Sequence, residues 1–243
     1  MRFLNRHFAM KSFNDFTDSY YDETAHNTWY DVGVGMKRRV IEKRSKRSTM
    51  ATIYLIRHGE SAANAGLKTF DTATIPLTPL GRTQAAAVPD RLPKQLDYII
   101  YSTYLRTQET AQPTIAMHPD VPVEEWAAVR EFTYLDPAKC NATTLEERRP
   151  MVDAFWSAMN PNLQESPEVE SFAQFIERVK ESHELLYDEF GGTNQNVALF
   201  THALFMKAFF QVLEKPRASV QELMETFFDC PVIYNCDIFK HTV

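Results

Sequence analysis

With 243 residues, 44% of them hydrophobic and 24% charged, the chain is long enough for one large domain, or a domain with an appendage, and has an ordinary globular composition. No run approaches the roughly 20 apolar residues that cross a bilayer; 7 glycines leave little for glycine-rich nucleotide loops, and the three cysteines (Cys140, Cys230, Cys236) are too few for a disulfide framework, which suits a reducing, cytoplasmic compartment. The net charge of −6 hides a division: residues 1–50 hold 10 basic and 6 acidic side chains, residues 51–243 hold 16 and 26, so the body stands at −10 and nucleic acid is not expected as its partner.

Residues 1–50 differ from the rest. Eight aromatics (Phe3, Phe8, Phe13, Phe16, Tyr20, Tyr21, Trp29, Tyr30) lie among polar residues with no sustained period, and seven Lys or Arg follow between Lys37 and Arg47. The apolar stretch of a secretory signal is missing, and acids from Asp15 to Asp31 speak against a transit peptide. A poorly ordered extension is expected. Three readings stand open: a flexible basic arm, a regulatory or membrane-surface segment, or a stretch outside a working protein that begins at Met50.

From Ala51 the pattern sharpens. Thr52-Ile53-Tyr54-Leu55-Ile56 is a nearly continuous run of β-formers, as in a strand buried on both faces. A helix is expected over Gln84–Val88, a second buried strand over Asp97–Tyr101, and a helix capped by Ser102 or Thr103 and running to Met117. Thr144 precedes a helix reaching Met159; Phe172, Phe175, Ile176, Val179, Leu185 and Leu186 recur at helical spacing before the stop at Gly191-Gly192. A third buried strand spans Asn196–Phe200, helices follow over Ala203–Leu213 and Ser219–Phe228, and a last strand is expected over Val232–Phe239. Strands alternating with helices predict an α/β fold with a mostly parallel sheet.

Each of the first three strands ends in residues that bind anions or cap helices: Arg57-His58-Gly59-Glu60-Ser61, Ser102-Thr103-Tyr104-Leu105-Arg106, and Thr201-His202. In open parallel sheets ligands bind beyond the carboxyl ends of the strands, so these groups converge on one crevice. Such a cluster in an acidic body fits an anion, and the planar fork of arginine fits a phosphate. No GxxxxGK[ST] loop is present to cradle a nucleotide.

Arg57-His58-Gly59-Glu60-Ser61-Ala62-Ala63-Asn64 resembles the RHGxSxxN signature of the histidine phosphatase superfamily, the phosphoglycerate mutase-like proteins. Leu77–Ala85 resembles that family's LTxxGxxQA segment and Tyr101–Ala111 its SxLxRxxxTA segment; Arg130-Glu131 and Phe200-Thr201-His202 fall where the family places its acid and its late histidine. The resemblance spreads over about 150 residues, Ile53 to roughly Phe210, and leaves residues 1–50 outside. It implies a three-layer α/β/α sandwich in residues 51–243, with a lid-like insertion at about 120–165.

For chemistry, the resemblance implies a phosphomonoester hydrolase needing neither metal nor cofactor, with His58 as nucleophile and Glu131 as acid and base. Arg57, Asn64, Arg106 and His202 would hold the phosphoryl group of a small-molecule or phosphoprotein substrate. A mutase-type transferase and a non-catalytic phosphate-binding module are the alternatives. Two departures stand out: Ala203 follows the late histidine where the family usually has glycine, and Phe132–Pro137 is unlike the mutase segment. Glu124 and Glu125 are the other candidates for the acid. Ser61 and Thr78 either line the pocket or cap helices, and Trp126, Phe155 and Trp156 either line a lid or pack the core.

Overall fold

The structure, a computed structural model, describes residues 50–243. The extension expected before Met50 lies outside the described residues.

Five strands form one sheet in the order β3-β2-β4-β1-β5. They are β1 (Thr52–Arg57), β2 (Tyr98–Ser102), β3 (Val123–Trp126), β4 (Asn196–Thr201) and β5 (Ile238–Thr242). All neighbours pair in parallel except β1 and β5. The three apolar runs are the three inner strands, and their alternation supplies both faces of the sheet. Ile53, Leu55, Ile100, Val197 and Leu199 point into one core, where they meet Phe172, Phe175 and Phe205. Tyr54, Ile56, Ile99, Ala198 and Phe200 point into the other, with Val88, Leu92 and Ala111. With helices on both faces, the chain is the three-layer α/β/α sandwich expected.

Among the described residues seven α-helices connect or follow the strands: α1 (Pro79–Ala86), α2 (Leu105–Met117), α3 (Pro137–Cys140), α4 (Leu145–Ser157), α5 (Phe172–Phe190), α6 (Ala203–Glu214) and α7 (Val220–Glu225). Thr144 and Ser171 close capping boxes with Glu147 and Gln174, as a hydroxyl three residues before an acceptor allows. Gly191 ends α5.

Four elements differ from expectation. α1 begins five residues earlier than expected, because Pro79 occupies the first helical turn, where its missing N–H costs nothing, and Thr78 caps it. Tyr104, rather than Ser102 or Thr103, precedes α2, since the Ser102 carbonyl accepts a bond from Thr107 Oγ1. The last strand is β5, not Val232–Phe239: Val232 and Tyr234 are exposed, Asp237 accepts from the Tyr234 amide, and Cys236 takes a φ of 58°. β3 escaped the sequence reading altogether, because it is an exposed edge strand, Val-Glu-Glu-Trp, with no apolar run.

Phe155 and Trp156, which stood open between lid and core, pack among Phe132, Phe172 and Phe227.

Candidate active site

Strand register builds the site. Arg57 pairs with Thr201, and Tyr101 with Phe200, so the carboxyl ends of β1, β2 and β4 finish level. His58 and His202 therefore emerge side by side, with ring centroids 5.3 Å apart. Arg106 enters from the first turn of α2 and sets its Nε–H 3.2 Å from His58 Nε2. The Arg57 side chain is half-buried, with its Nη1 donating to the Ile233 carbonyl at 2.7 Å.

The tautomer of His58 follows from its contacts. Its Nδ1 lies 2.7 Å from the Gly59 carbonyl, which can only accept, so Nδ1 carries the proton. Nε2 keeps its lone pair and meets the Arg106 donor. Burial lowers the His58 pKa well below 6.5, and the Arg106 and Arg57 guanidinium groups lower it further, against the Gly59 bond. The ring is a neutral base at neutral pH.

Glu131 follows a 3₁₀ turn (Ala127–Val129) that Thr201 ties to β4 through a 2.7 Å bond from its hydroxyl to the Val129 carbonyl. Its carboxylate accepts from the backbone N–H groups of Phe132, Leu204 and Phe205 at 3.0–3.2 Å, the last two at the start of α6. Burial raises its pKa from 4.5, opposed by Arg106 and by those three amides. A carboxyl group so placed holds its proton more readily than an exposed one.

Arg57, His58, Ser61, Asn64, Arg106 and Glu131 line one cavity of about 160 Å³ together with Thr72, Ile75, Leu145 and Arg148. His202 is not in that lining; it is wholly buried against the His58 ring, with Nε2 and Ser102 Oγ 2.8 Å apart and Nδ1 without a partner. Arg57 Nε is likewise buried and unpartnered. Asn64 is exposed at the rim, and its Oδ1 accepts from the Ser61 amide and hydroxyl and from Asn235 Nδ2. The structure thus brings all six sequence-derived candidates to one place. Glu124 and Glu125 sit on β3, outside the cavity lining, where Glu124 accepts from Trp126 Nε1. Ser61 lines the cavity; Thr78 caps α1 and donates to Glu60 Oε1 at 2.6 Å. Ala203 does not line the cavity.

The order of these motifs along the chain and the register that gathers them have a counterpart in known proteins. Residues 53–225 match the histidine phosphatase superfamily, branch 1. The chain belongs to that family. A curated relative from Schizosaccharomyces pombe, named "Probable phosphatase C1687.21", is 33% identical over 85 residues; the match spans 35% of this chain and 41% of that protein, so less than half of the relative is covered. YhfR of Bacillus stearothermophilus superposes with a TM-score of 0.63 at 26% identity, covering 78% of this chain and 90% of that one. The phosphoserine phosphatase of Entamoeba histolytica, in complex with 3-phosphoglyceric acid, gives 0.60 at 22% identity, with 80% and 94% covered.

Two contributors were not found from sequence. Asn235 donates to the His58 carbonyl at 2.9 Å and holds the turn before β5 against the end of β1. Arg148 reaches the cavity from α4. Its local sequence gives no sign of this: Leu145, three residues before it, is exposed, and its neighbours Glu146, Glu147 and Arg149 are charged.

Proposed function

We propose that the protein is a phosphomonoester hydrolase that works through a phosphohistidine at His58 and needs no metal. The observation that carries this reading is the bond from His58 Nδ1 to the Gly59 carbonyl, which leaves Nε2 as a lone pair at the floor of a cationic cavity. Membership of the histidine phosphatase superfamily and relatives named as phosphatases support it.

A phosphoryl group entering the cavity meets Arg57 and Arg106, whose two positive charges match a phosphate dianion. Arg106 Nε exchanges a bond to a neutral imidazole for one to an anionic oxygen, and such charge-assisted bonds contribute about 1.5–3 kcal/mol each. His202 Nδ1 and Arg57 Nε are buried polar atoms with no protein partner, and a phosphoryl oxygen is suited to both. Asn64 adds a neutral donor at the rim.

His58 Nε2 attacks phosphorus, forming the N–P bond as the ester P–O bond breaks. The Glu131 proton goes to the departing oxygen, which leaves as an alcohol. Glu131, now a carboxylate held by three amides, takes a proton from water as that water attacks phosphorus. The N–P bond breaks, His58 returns neutral, and inorganic phosphate departs with Glu131 protonated again. The Gly59 carbonyl holds the Nδ1 proton throughout, which stabilises the charge on phosphohistidine.

A panel of phosphomonoesters turned over in the presence of EDTA tests this. Wild type should release phosphate and His58→Ala should not; full loss of turnover in EDTA would contradict the metal-independent reading.

A further inference from the structure

Tyr104 stands where the SxLxRxxxTA pattern has leucine. It precedes the first turn of α2, is buried, and does not line the catalytic cavity. Its ring nevertheless meets two groups of the phosphate clamp. The Arg106 guanidinium carbon lies over the ring, 4.8 Å from its centroid, and the His202 ring packs against it edge-on with centroids 5.1 Å apart. Its hydroxyl shares a 2.8 Å hydrogen bond with Thr133 Oγ1, two residues after Glu131. One side chain thus touches the clamp at one end and the segment carrying the acid at the other.

Leucine there would occupy the space but supply neither contact. Arg106 is buried, and its bonds go to neutral acceptors, His58 Nε2 and the Thr72 carbonyl. Among the described residues no carboxylate lies within ion-pair distance of it. Burial takes its pKa down to about 10, opposed by Glu131 and Tyr104. The negative face of an aromatic ring attracts such a cation, and more strongly where water is excluded. The hydroxyl acts elsewhere. The Glu131 carboxylate takes the amides at the start of α6, Phe132 stacks on Phe175 with centroids 4.4 Å apart, and Thr133 reaches Tyr104. The core fixes the middle residue of the three, and Tyr104 fixes the last.

We infer that Tyr104 is a positioning residue that couples the acid to the phosphate clamp: its ring holds Arg106 and His202 toward the phosphoryl group, and its hydroxyl steadies Glu131 through Thr133. This rests on the phosphatase reading above and adds a residue that does not touch substrate. The two parts of the side chain do separate work. Removing the hydroxyl disturbs protonation of the leaving group, whereas removing the ring also loosens the phosphate. A tyrosine that only packed would show no such division, because a smaller folded fraction lowers the rate for every substrate alike.

Single-turnover phosphorylation of His58 by an alkyl phosphate and by para-nitrophenyl phosphate reads the hydroxyl. In Y104F the alkyl rate should fall about 3- to 10-fold more than the aryl rate, the size of one hydrogen bond. T133V should match it, and the double variant Y104F/T133V should lose no more than either alone. Calorimetric binding of inorganic phosphate reads the ring. Y104F should bind it as wild type does, and Y104L should bind it about 3- to 30-fold more weakly. Equal losses for the two esters in Y104F, additive losses in the double variant, or unchanged phosphate binding in Y104L would overturn the inference. Should Y104L fail to fold, the ester ratios in Y104F and T133V decide the matter. The two readings also fail separately. Weaker phosphate binding in Y104L with no wild-type turnover of any ester would keep the role of the ring and sink the hydrolase; wild-type turnover with ester ratios and phosphate affinity unchanged in the variants would do the reverse.

Discussion

Glu131 is held by three backbone N–H donors and faces Arg106, all of which stabilise its charged form, while burial raises its pKa above 4.5. The two pulls suit a group that must alternate between acid and base. As an acid Glu131 must start protonated, so kcat/KM for an alkyl phosphate should fall as pH rises through its raised pKa. His58 stays neutral well below 6.5, so it should impose no acidic limb near neutrality. In Glu131→Gln the limb set by Glu131 should vanish, and alkyl phosphates should lose about 100- to 10,000-fold. An aryl phosphate needs little protonation of its leaving oxygen and should phosphorylate His58 with a smaller loss, then accumulate phosphoenzyme because water lacks a base. Equal losses for alkyl and aryl esters in single-turnover phosphorylation would remove Glu131 from the role. Arg106→Gln should behave otherwise: Arg106 touches the phosphoryl group rather than the leaving group, so both ester types should slow by about 100- to 1,000-fold.

The turn after β1 is pressed against α1. A Cβ on Gly59 would come within 2.5 Å of the Gly81 carbonyl oxygen, and one on Gly81 would collide with the Glu60 carbonyl. Glycine is required at both by this backbone contact, which sets the height of His58 above the sheet. Gly81→Ala should destabilise the fold by about 1–3 kcal/mol and lower kcat while substrate binding weakens less; thermal unfolding and steady-state kinetics would show both effects. At this scale the sequence was most legible where burial is complete. β1, β2 and β4 are buried on both faces and read as unbroken apolar runs. β3 carries Glu124 and Glu125 on an exposed edge, so nothing in its composition marks a strand. The Val232–Tyr234 stretch has strand-forming residues but serves as a strap, its Ile233 carbonyl accepting from Arg57. Arg148 sits among Glu146, Glu147 and Arg149 and reads as part of a solvated charged face, because the Thr69 that anchors it lies 79 residues away.

Across the molecule, four histidines favour the neutral form in the fold. Burial lowers the pKa of His58, His202 and His183, and takes His241 down to about 4. The unfolded chain binds those protons near 6.5, whereas the folded chain does not bind them until well below, so stability rises with pH in between. Glu131 has the opposite sign: its folded pKa is raised, and its contribution declines as pH climbs through that value. One carboxyl does not offset four imidazoles. The urea midpoint should therefore fall when pH drops from about 7 to about 5, and His241→Gln should flatten part of that slope. A flat profile would contradict the burial of these rings. The fold also closes on itself at Ala51, whose backbone exchanges two bonds with Val243. A chain started at Met50 should accordingly unfold cooperatively and match full-length turnover; loss of turnover would assign residues before Met50 a part in the site.

The central claim is covalent chemistry at His58, and rapid acid-free quench of wild type with ³²P-labelled substrate reads it directly. The label should appear on His58 Nε2 within the first turnover, survive alkali, be released by acid, and be absent from His58→Ala. Turnover that persists in His58→Ala, or label recovered on any other residue, would contradict the account.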